Sequence, residues 1–526
     1  MPLVRRLCLV LGLLALALFG TAHGARAATQ LPCDIYASAG TPCVAAHSTT
    51  RALYANFNGR LYQVYRSSDG TTQDIGVLSA GGYANAAAQD SFCANTYCII
   101  SRIYDQSGKG NDLAIAPAGD QGPADHGAPA EALAVTAGGH AVYGIEFSGH
   151  MGYRNDSTTG VAVEGKPESM YMVTSGIHAN AGCCFDYGNA EIHNNDPGDG
   201  HMDAVNFGTE CYYSGKGPCY GNGPWVMSDL ENGLFESNLG YSTNSSYTGN
   251  TQTFVTAMLK NNGQNHFAMK SADATAGGLF TIFDGATPAN NINRPSQGSS
   301  DFGYTPMHQE GAIILGIGGD NSQSGIGSFF EGVMTAGYPS NDADNAVQAN
   351  IAAVGYSTSP VGGSPGTLKP GSAVSLRATT ACCTGDYIRH QNGNIVISAL
   401  SSSSSLLDRS DATWIVRRGL ANNACVSFES KNYPGEFIRH YNSILYRQPY
   451  VGIELDANAA SDATFCPVAG KNGQGSSFQS VNYSSKYIRH YQSTGYIASN
   501  GGSNAWDNAA SWSDDVSWIV TAPLAN

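Results

Sequence analysis

Charge is scarce in this sequence, and basic charge most of all. Asp, Glu, Lys and Arg supply 13% of 526 residues, with 26 Lys and Arg against 41 Asp and Glu. The formal net charge of −15 argues against a nucleic-acid partner, which needs a basic patch. A neutral polymer fits better. Long apolar runs are equally few. The one at 7–19 follows Arg5 and Arg6 and precedes the small-residue site Ala25-Arg26-Ala27, the pattern of a secretory signal over 1–27. No later stretch is apolar enough to span a bilayer, so no membrane role is expected, and the mature chain should be a secreted monomer. Paired CxxC and His-x3-His clusters are missing too, which removes the common zinc patterns. Neither a metal nor a cofactor is expected.

Helical stripes of 3.6 period are also rare, the best being 342–354. What the chain has instead is 64 glycines, 28 tyrosines and short β-rich runs such as 169–174 and 311–317, parted by Gly, Asn and Asp clusters. This predicts an all-β protein whose first domain is a large β-sandwich, jelly-roll-like. Of 13 cysteines, Cys8 lies in the signal, and the remaining even number suits an oxidising compartment. Proximity proposes Cys33–Cys43, Cys93–Cys98, Cys211–Cys219 and Cys425–Cys466. The adjacent cysteines Cys183-Cys184 and Cys382-Cys383 either bond to each other or find separate partners.

The last third repeats. Tyr387-Ile388-Arg389-His390 returns as Phe437-Ile438-Arg439-His440 and Tyr487-Ile488-Arg489-His490, and each copy is followed by an Asp and an aromatic: Asp411…Trp414, Asp462…Phe465, Asp515…Trp518. Units this small cannot bury a core alone, so three must pack together, and a β-trefoil is expected. The repeated His and Asp are read either as structural turn and polar-layer groups or as three sugar pockets. A Pro/Gly/Ser stretch separates the two parts. The boundaries are 28–356 for the sandwich, 357–372 for the linker and 373–526 for the trefoil.

Three segments of the first domain hold candidate chemistry. In Trp225…Ser228-Asp229-Leu230-Glu231-Asn232-Gly233, the acids Asp229 and Glu231 would share one face if the strand continued; they then form either a solvated pair or a polar site. In Gly311…Gly318-Gly319-Asp320-Asn321, a buried strand runs into a glycine turn that presents Asp320. The third segment is Cys183-Cys184-Phe185-Asp186-Tyr187-Gly188.

Together with Leu31-Pro32-Cys33-Asp34-Ile35-Tyr36, the stretch 104–113 and Phe329-Phe330-Glu331-Gly332-Val333-Met334, these segments resemble secreted α-L-arabinofuranosidases of glycoside hydrolase family 54 that carry a C-terminal arabinose-binding module of carbohydrate-binding family 42. The resemblance implies Glu231 as nucleophile and Asp320 as general acid/base of a retaining double displacement, with carboxyl groups about 5 to 5.5 Å apart. It also implies a Cys183–Cys184 disulfide lining the sugar pocket, and sugar contacts from Asp229, Asn232 and Gly319. One departure stands out. The family's pocket Trp, between Gly200-His201-Met202 and Gly223-Pro224-Trp225, is absent here, and Tyr212 and Tyr213 are the residues expected to replace its ring. In the trefoil the resemblance assigns sugar binding to His390 with Asp411, His440 with Asp462 and Asn442, and His490 with Asp515. The expected activity is exo-release of terminal arabinofuranose from an arabinose-containing plant polysaccharide such as arabinoxylan or arabinan. The alternatives are a glycosidase that also accepts β-xylosides, and a non-catalytic arabinan-binding lectin.

Overall fold

The structure is a computed structural model that describes residues 30–66, 69–94, 98–210, 220–231, 244–287, 304–358, 368–422, 424–433, 435–449 and 457–525, with the backbone alone at 234–235. The expected signal, 1–27, lies outside the described residues. The chain is mostly β. Its N-terminal part holds a six-stranded and a ten-stranded antiparallel sheet.

The central strand of the smaller sheet, Glu168–Thr174, is buried along its whole length between Val255–Asn261 and Glu331–Ala336. This is why it reads as a continuous Met-Tyr-Met-Val run rather than an alternating one. The helix Asn341–Val354 follows the pattern seen in its sequence. Ser340 caps its first turn by accepting from the Ala343 amide, and Gly355 ends it in the left-handed region at φ 64°. Val347, Ile351 and Val354 face the core, and Asp344 takes ion pairs from Lys260 at 2.8 Å and Lys270 at 2.6 Å.

In the larger sheet the strands Asp186–Ala190, Asp203–Gly208, Trp225–Asp229 and Ala312–Leu315 have two unlike faces. Tyr187, Val205, Phe207, Val226 and Leu315 point into the main core, where the smaller sheet lies. The opposite face carries Ala190, Ala204, Ala312 and Ile314, three of them small, beside Asp186 and Asp229. Side chains of this size leave a shallow floor on which loops can lie.

Residues from Ala373 onward form a second β body. Ala373–Ala378, Trp414–Arg418, Val426–Ser430, Phe465–Ala469, Ser476–Ser480 and Trp518–Thr521 pair in a closed ring. Three hairpins, starting at Asp386, Glu436 and Tyr487, pair with one another across one end. Their turns are two residues long with positive φ at both positions, as at Asn392-Gly393 and Asn442-Ser443. The aromatics of the repeat, Trp414, Phe465 and Trp518, fill the barrel core. The short helices Leu406–Asp411, Ala457–Asp462 and Trp512–Asp515 place the three aspartates. The first begins inside the serine run, capped by Ser405.

Disulfides join Cys33–Cys43, Cys93–Cys98, Cys183–Cys184, Cys382–Cys383 and Cys425–Cys466. Cys211 and Cys219 lie outside the described residues. Among the described residues no helix is long and apolar enough to cross a membrane.

Candidate active site

The strand Trp225–Asp229 ends at Asp229, and the chain turns at once to pair back through Leu234–Phe235. Glu231 stands in that turn with φ 66°, so its position does not follow strand alternation. The turn is held by Asp229, which accepts the Glu231 amide at 3.1 Å, by Tyr304, whose hydroxyl donates to the Glu231 carbonyl at 3.1 Å, and by the Gly200 amide on the Leu230 carbonyl at 2.7 Å. Both acids are buried, Asp229 at 7% and Glu231 at 6% exposure, which rules out a solvated pair.

Asp320 comes from the other side. After Ala312–Leu315 the chain passes Gly316, whose φ of 85° only glycine adopts easily, and then folds over the small-residue floor. Ser322 donates to Asp320 Oδ1 twice, from its amide at 2.9 Å and its hydroxyl at 2.7 Å. The outer wall of this loop is tied by the Gln121 amide on the Asp320 carbonyl and by Asn321 on the Pro123 carbonyl. A carbon on Gly318 would sit 3.3 Å from Cys184 Sγ and 3.5 Å from Asp320 Oδ1. Cys184 Sγ in turn lies 3.7 Å from Asp229 Oδ2. The Cys183–Cys184 disulfide is therefore wedged between the two acid-bearing loops. Gly319 lies against Glu191, a residue the sequence reading did not single out.

The electrostatics of the floor are unusual. Burial, with Glu191 and Asp320 nearby, pushes Asp229 up to about 8. Burial and the adjoining Asp229 raise Asp186, which accepts a hydrogen bond from Asn206 at 2.6 Å. Burial and the adjoining Glu191 raise Glu231. Like charges packed this closely are tolerated only because protons stay on some of them. Cys183, Cys184 and Asp229 have metal-ligand spacing, but the two sulfurs are bonded to each other. In the similar group Glu146, His178 and Glu429, the Arg417 guanidinium already sits on both carboxylates, at 2.8 and 2.6 Å.

Asn232, Tyr212 and Tyr213 lie outside the described residues. In the C-terminal body, each Asp meets the Arg and the His of its own repeat. Arg389–Asp411 is 2.8 Å, Arg439–Asp462 3.3 Å and Arg489–Asp515 2.7 Å; the His–Asp distances are 3.4, 3.3 and 3.7 Å for His390, His440 and His490. Each site is completed by a neighbouring repeat. Asn432 donates to Asp411 and Asn482 to Asp462, both at 2.7 Å, while Thr380, from the first repeat, donates to Asp515 at 2.9 Å. Tyr433 and Tyr483 stand edge-on to His390 and His440, with ring centroids 5.2 and 5.4 Å away. Asn442 is an exposed turn residue, and the asparagine that joins His440 to Asp462 is Asn482. The sequence signal for these missed partners was present: Asn432-Tyr433 and Asn482-Tyr483 also recur at a spacing of 50.

Carboxyl groups on two converging loops suit the cleavage of a glycosidic bond, where acids do both the proton and the covalent work. The fold and site define a glycoside hydrolase. The family model described as α-L-arabinofuranosidase B, catalytic, matches residues 32–357, and that of the α-L-arabinofuranosidase B (ABFB) domain matches 376–520. A probable α-L-arabinofuranosidase B of Aspergillus clavatus is 49% identical over 95% of this chain and 96% of its own. An arabinofuranosidase/B-xylosidase of Trichoderma koningii is 49% identical over 94% and 96%. Among solved structures, a Glu→Gln mutant of a family 54 α-L-arabinofuranosidase soaked with 4-nitrophenyl α-L-arabinofuranoside aligns with a TM-score of 0.62. An arabinofuranosidase complexed with arabinofuranosyl-α-1,2-xylobiose aligns at 0.61. Both are 45% identical and cover 94% of this chain and all of their own. The chain belongs to the α-L-arabinofuranosidase B family.

Proposed function

We propose that the protein is a retaining, exo-acting α-L-arabinofuranosidase, exported from the cell, that removes terminal arabinofuranose from arabinoxylan, arabinan and related polymers. Glu231 attacks the anomeric carbon while Asp320 gives its proton to the leaving oxygen; Asp320 then takes a proton from water, which releases the sugar. Asp229, Asn232, Gly319 and the Cys183–Cys184 disulfide shape the pocket, the disulfide as an apolar wall for one face of the sugar. The observation that carries this reading is the convergence of the Glu231 turn and the Asp320 loop on either side of that disulfide. The substrate class rests on the family and on the relatives' own ligands.

The N-terminal part, 28–356, is read as a β-sandwich and 373–526 as a β-trefoil, supported by the two-faced large sheet and by the ring of six strands capped by three hairpins. The three His–Asp sites then hold the enzyme on its polymer through several weak contacts. A second reading, activity on β-xylosides as well, is favoured by the relative named for both activities.

The test is hydrolysis of 4-nitrophenyl α-L-arabinofuranoside, with the first-formed anomer read by proton NMR before mutarotation. Retention is expected; inversion would remove Glu231 from the nucleophile role. Glu231→Gln should lower kcat by about 10³ or more while arabinan binding persists. Unchanged turnover in that variant would discard the assignment. A wild-type protein that binds arabinan and releases nothing would be the lectin.

A further inference from the structure

Ser322 stands two residues beyond Asp320 and gives both of its donors to one oxygen of that carboxyl: its amide reaches Oδ1 at 2.9 Å and its hydroxyl at 2.7 Å. Among the described residues no hydrogen bond is made to Oδ2. The main chain that carries the two donors is held from both sides. On the inner side the Ser322 carbonyl accepts the Gly318 amide at 2.9 Å and the Cys184 amide at 3.2 Å, which seats the turn on the disulfide. On the outer side the Gln323 side chain donates to the Pro123 carbonyl at 2.9 Å and to Asp125 Oδ1 at 3.3 Å, while the Gln323 carbonyl accepts the His150 amide at 2.7 Å. Gly119 and Gly122 allow that outer segment to come so near: a carbon on Gly119 would stand 2.6 Å from Asn321 Cβ, and one on Gly122 2.6 Å from the Gln323 side-chain amide.

A carboxylic acid has one oxygen that bears the proton and one that accepts. A backbone amide can only donate, so the oxygen under the Ser322 amide is the acceptor, and the proton of Asp320 belongs on Oδ2. We propose that Ser322 is the positioning residue for the general acid: it fixes Oδ1 as the acceptor and leaves Oδ2 to carry the proton that the leaving oxygen receives. This rests on the reading of Asp320 as the general acid.

The two donors count for more during the reaction than before it. As Glu231 bonds to the anomeric carbon, the bond from that carbon to the leaving oxygen breaks, the leaving oxygen takes the proton from Oδ2, and the electron pair of that O–H bond stays on Asp320. The resulting charge is shared with Oδ1, where both donors are already in place. Hydrogen bonds to a carboxylate are stronger than those to a neutral carboxyl, so the Ser322 pair stabilises the transition state more than the ground state. The benefit scales with the proton transfer that the leaving group needs. An alkoxide needs it in full, a nitrophenolate hardly at all.

The test compares kcat/KM of the full-length wild type and its variants on methyl and 4-nitrophenyl α-L-arabinofuranoside, two small substrates that differ in how readily the aglycone leaves. This ratio reads the reaction up to aglycone release, so later breakdown of the ester does not blur it. Ser322→Ala removes the hydroxyl and is expected to lose about tenfold on the methyl glycoside and less than about twofold on the 4-nitrophenyl one. Ser322→Gly removes the same hydroxyl with nothing left to repack and carries the same expectation, whereas Ser322→Thr keeps the hydroxyl and should recover most of the methyl activity. A residue that merely shapes the loop would cost both substrates alike. Equal losses on the two substrates, or no loss on the methyl glycoside, in either folded hydroxyl-free variant overturns the role of Ser322. Asp320→Ala should show the same selectivity in larger measure, about a hundredfold or more on the methyl glycoside. Selective loss in Asp320→Ala alone removes Ser322 and leaves the acid in place; no selectivity in Asp320→Ala removes the general-acid reading, and the inference with it.

Discussion

A single carbon added at Gly319 would meet the carboxyl end of the Glu191 side chain, while Arg154 holds the backbones of both residues. Gly319→Ala must therefore displace either the Asp320 loop or the Glu191 carboxyl, whose charge bears on Glu231. Displacements of about 1 Å at reacting groups cost roughly a hundredfold, so kcat/KM on the small substrate should fall by about that factor while far-ultraviolet circular dichroism stays native. Gly278→Ala, where a side chain would meet open space, is the matched control and should keep full activity. Wild-type turnover in Gly319→Ala would mean that the Glu191 side chain gives way without disturbing the Asp320 loop. Burial and the same crowding explain why Asp229 is pushed up to about 8: with Glu191 and Asp320 nearby, the cheaper state keeps a proton there, and a protonated Asp229 can donate to a sugar hydroxyl.

The elements that build the two kinds of site differ in how they recruit residues. The C-terminal sites are made by repetition, and repetition is visible in a sequence: His, Asp and the core aromatic recur because each unit solves the same packing problem. Even there, the local view missed that each pocket borrows from a neighbouring repeat, so Asn432, Asn482 and Thr380 went unnoticed. The active site is made by long-range pairing. Glu231 and Asp320 sit at glycine-rich turns and could be noticed one by one, whereas Asp186, Glu191 and Arg154 are single residues that only the register of neighbouring strands brings together. The short helices escaped for a similar reason, since at four to seven residues their stability comes from caps and packing and not from an apolar stripe. A test at this scale should spare the paired groups. Removing Asp411 would strip buried Arg389 of one of its two carboxylates, leaving Asp408, so loss of binding would be mixed with altered packing. Tyr433 and Tyr483, 41% and 49% exposed, each have a cation over one ring face, Arg447 at 3.3 Å and Lys486 at 5.4 Å, and otherwise stand half open to solvent. Tyr433→Ala and Tyr483→Ala should each weaken retention on arabinan by about 2- to 10-fold, the equivalent of one aromatic contact, with small-substrate turnover unchanged. Undiminished retention in affinity electrophoresis would show that neither ring meets the polymer. In the third site Ala381 stands where the first two have tyrosine, so that site should hold the sugar more weakly.

At the scale of the whole molecule, the two β bodies are joined by more than the stretch at 357–372. Leu420, Phe437 and Ala460 pack into the core built by the N-terminal sheets, and Arg417 crosses to Glu146 while holding Glu429. A shared core makes one cooperative melting transition the expectation, and it ties stability to the pH of many buried acids at once. Burial pushes Glu146 and Asp229 up to about 8 and Asp125, Asp203 and Glu210 up to about 7, against ordinary values near 4 in the unfolded chain. Between those limits the folded state holds protons that the unfolded state has released, so the stability contributed by these groups falls as pH rises. Buried His47, His178, His390, His440 and His490 act in the opposite sense, since burial lowers them, and their effect fades above about pH 6.5 as the unfolded imidazoles lose their protons. From pH 6.5 to 8 the carboxyls outweigh this fading opposition. Even a net difference of one proton is worth about 1.4 kcal/mol per pH unit, which in a chain of this size lowers Tm by a few degrees across the interval. Calorimetric scans at pH 6.5 and 8 should therefore show Tm falling. A Tm that rises with pH would mean that these acids are ionised in the folded protein, and that the protonated floor beneath Glu231 does not exist.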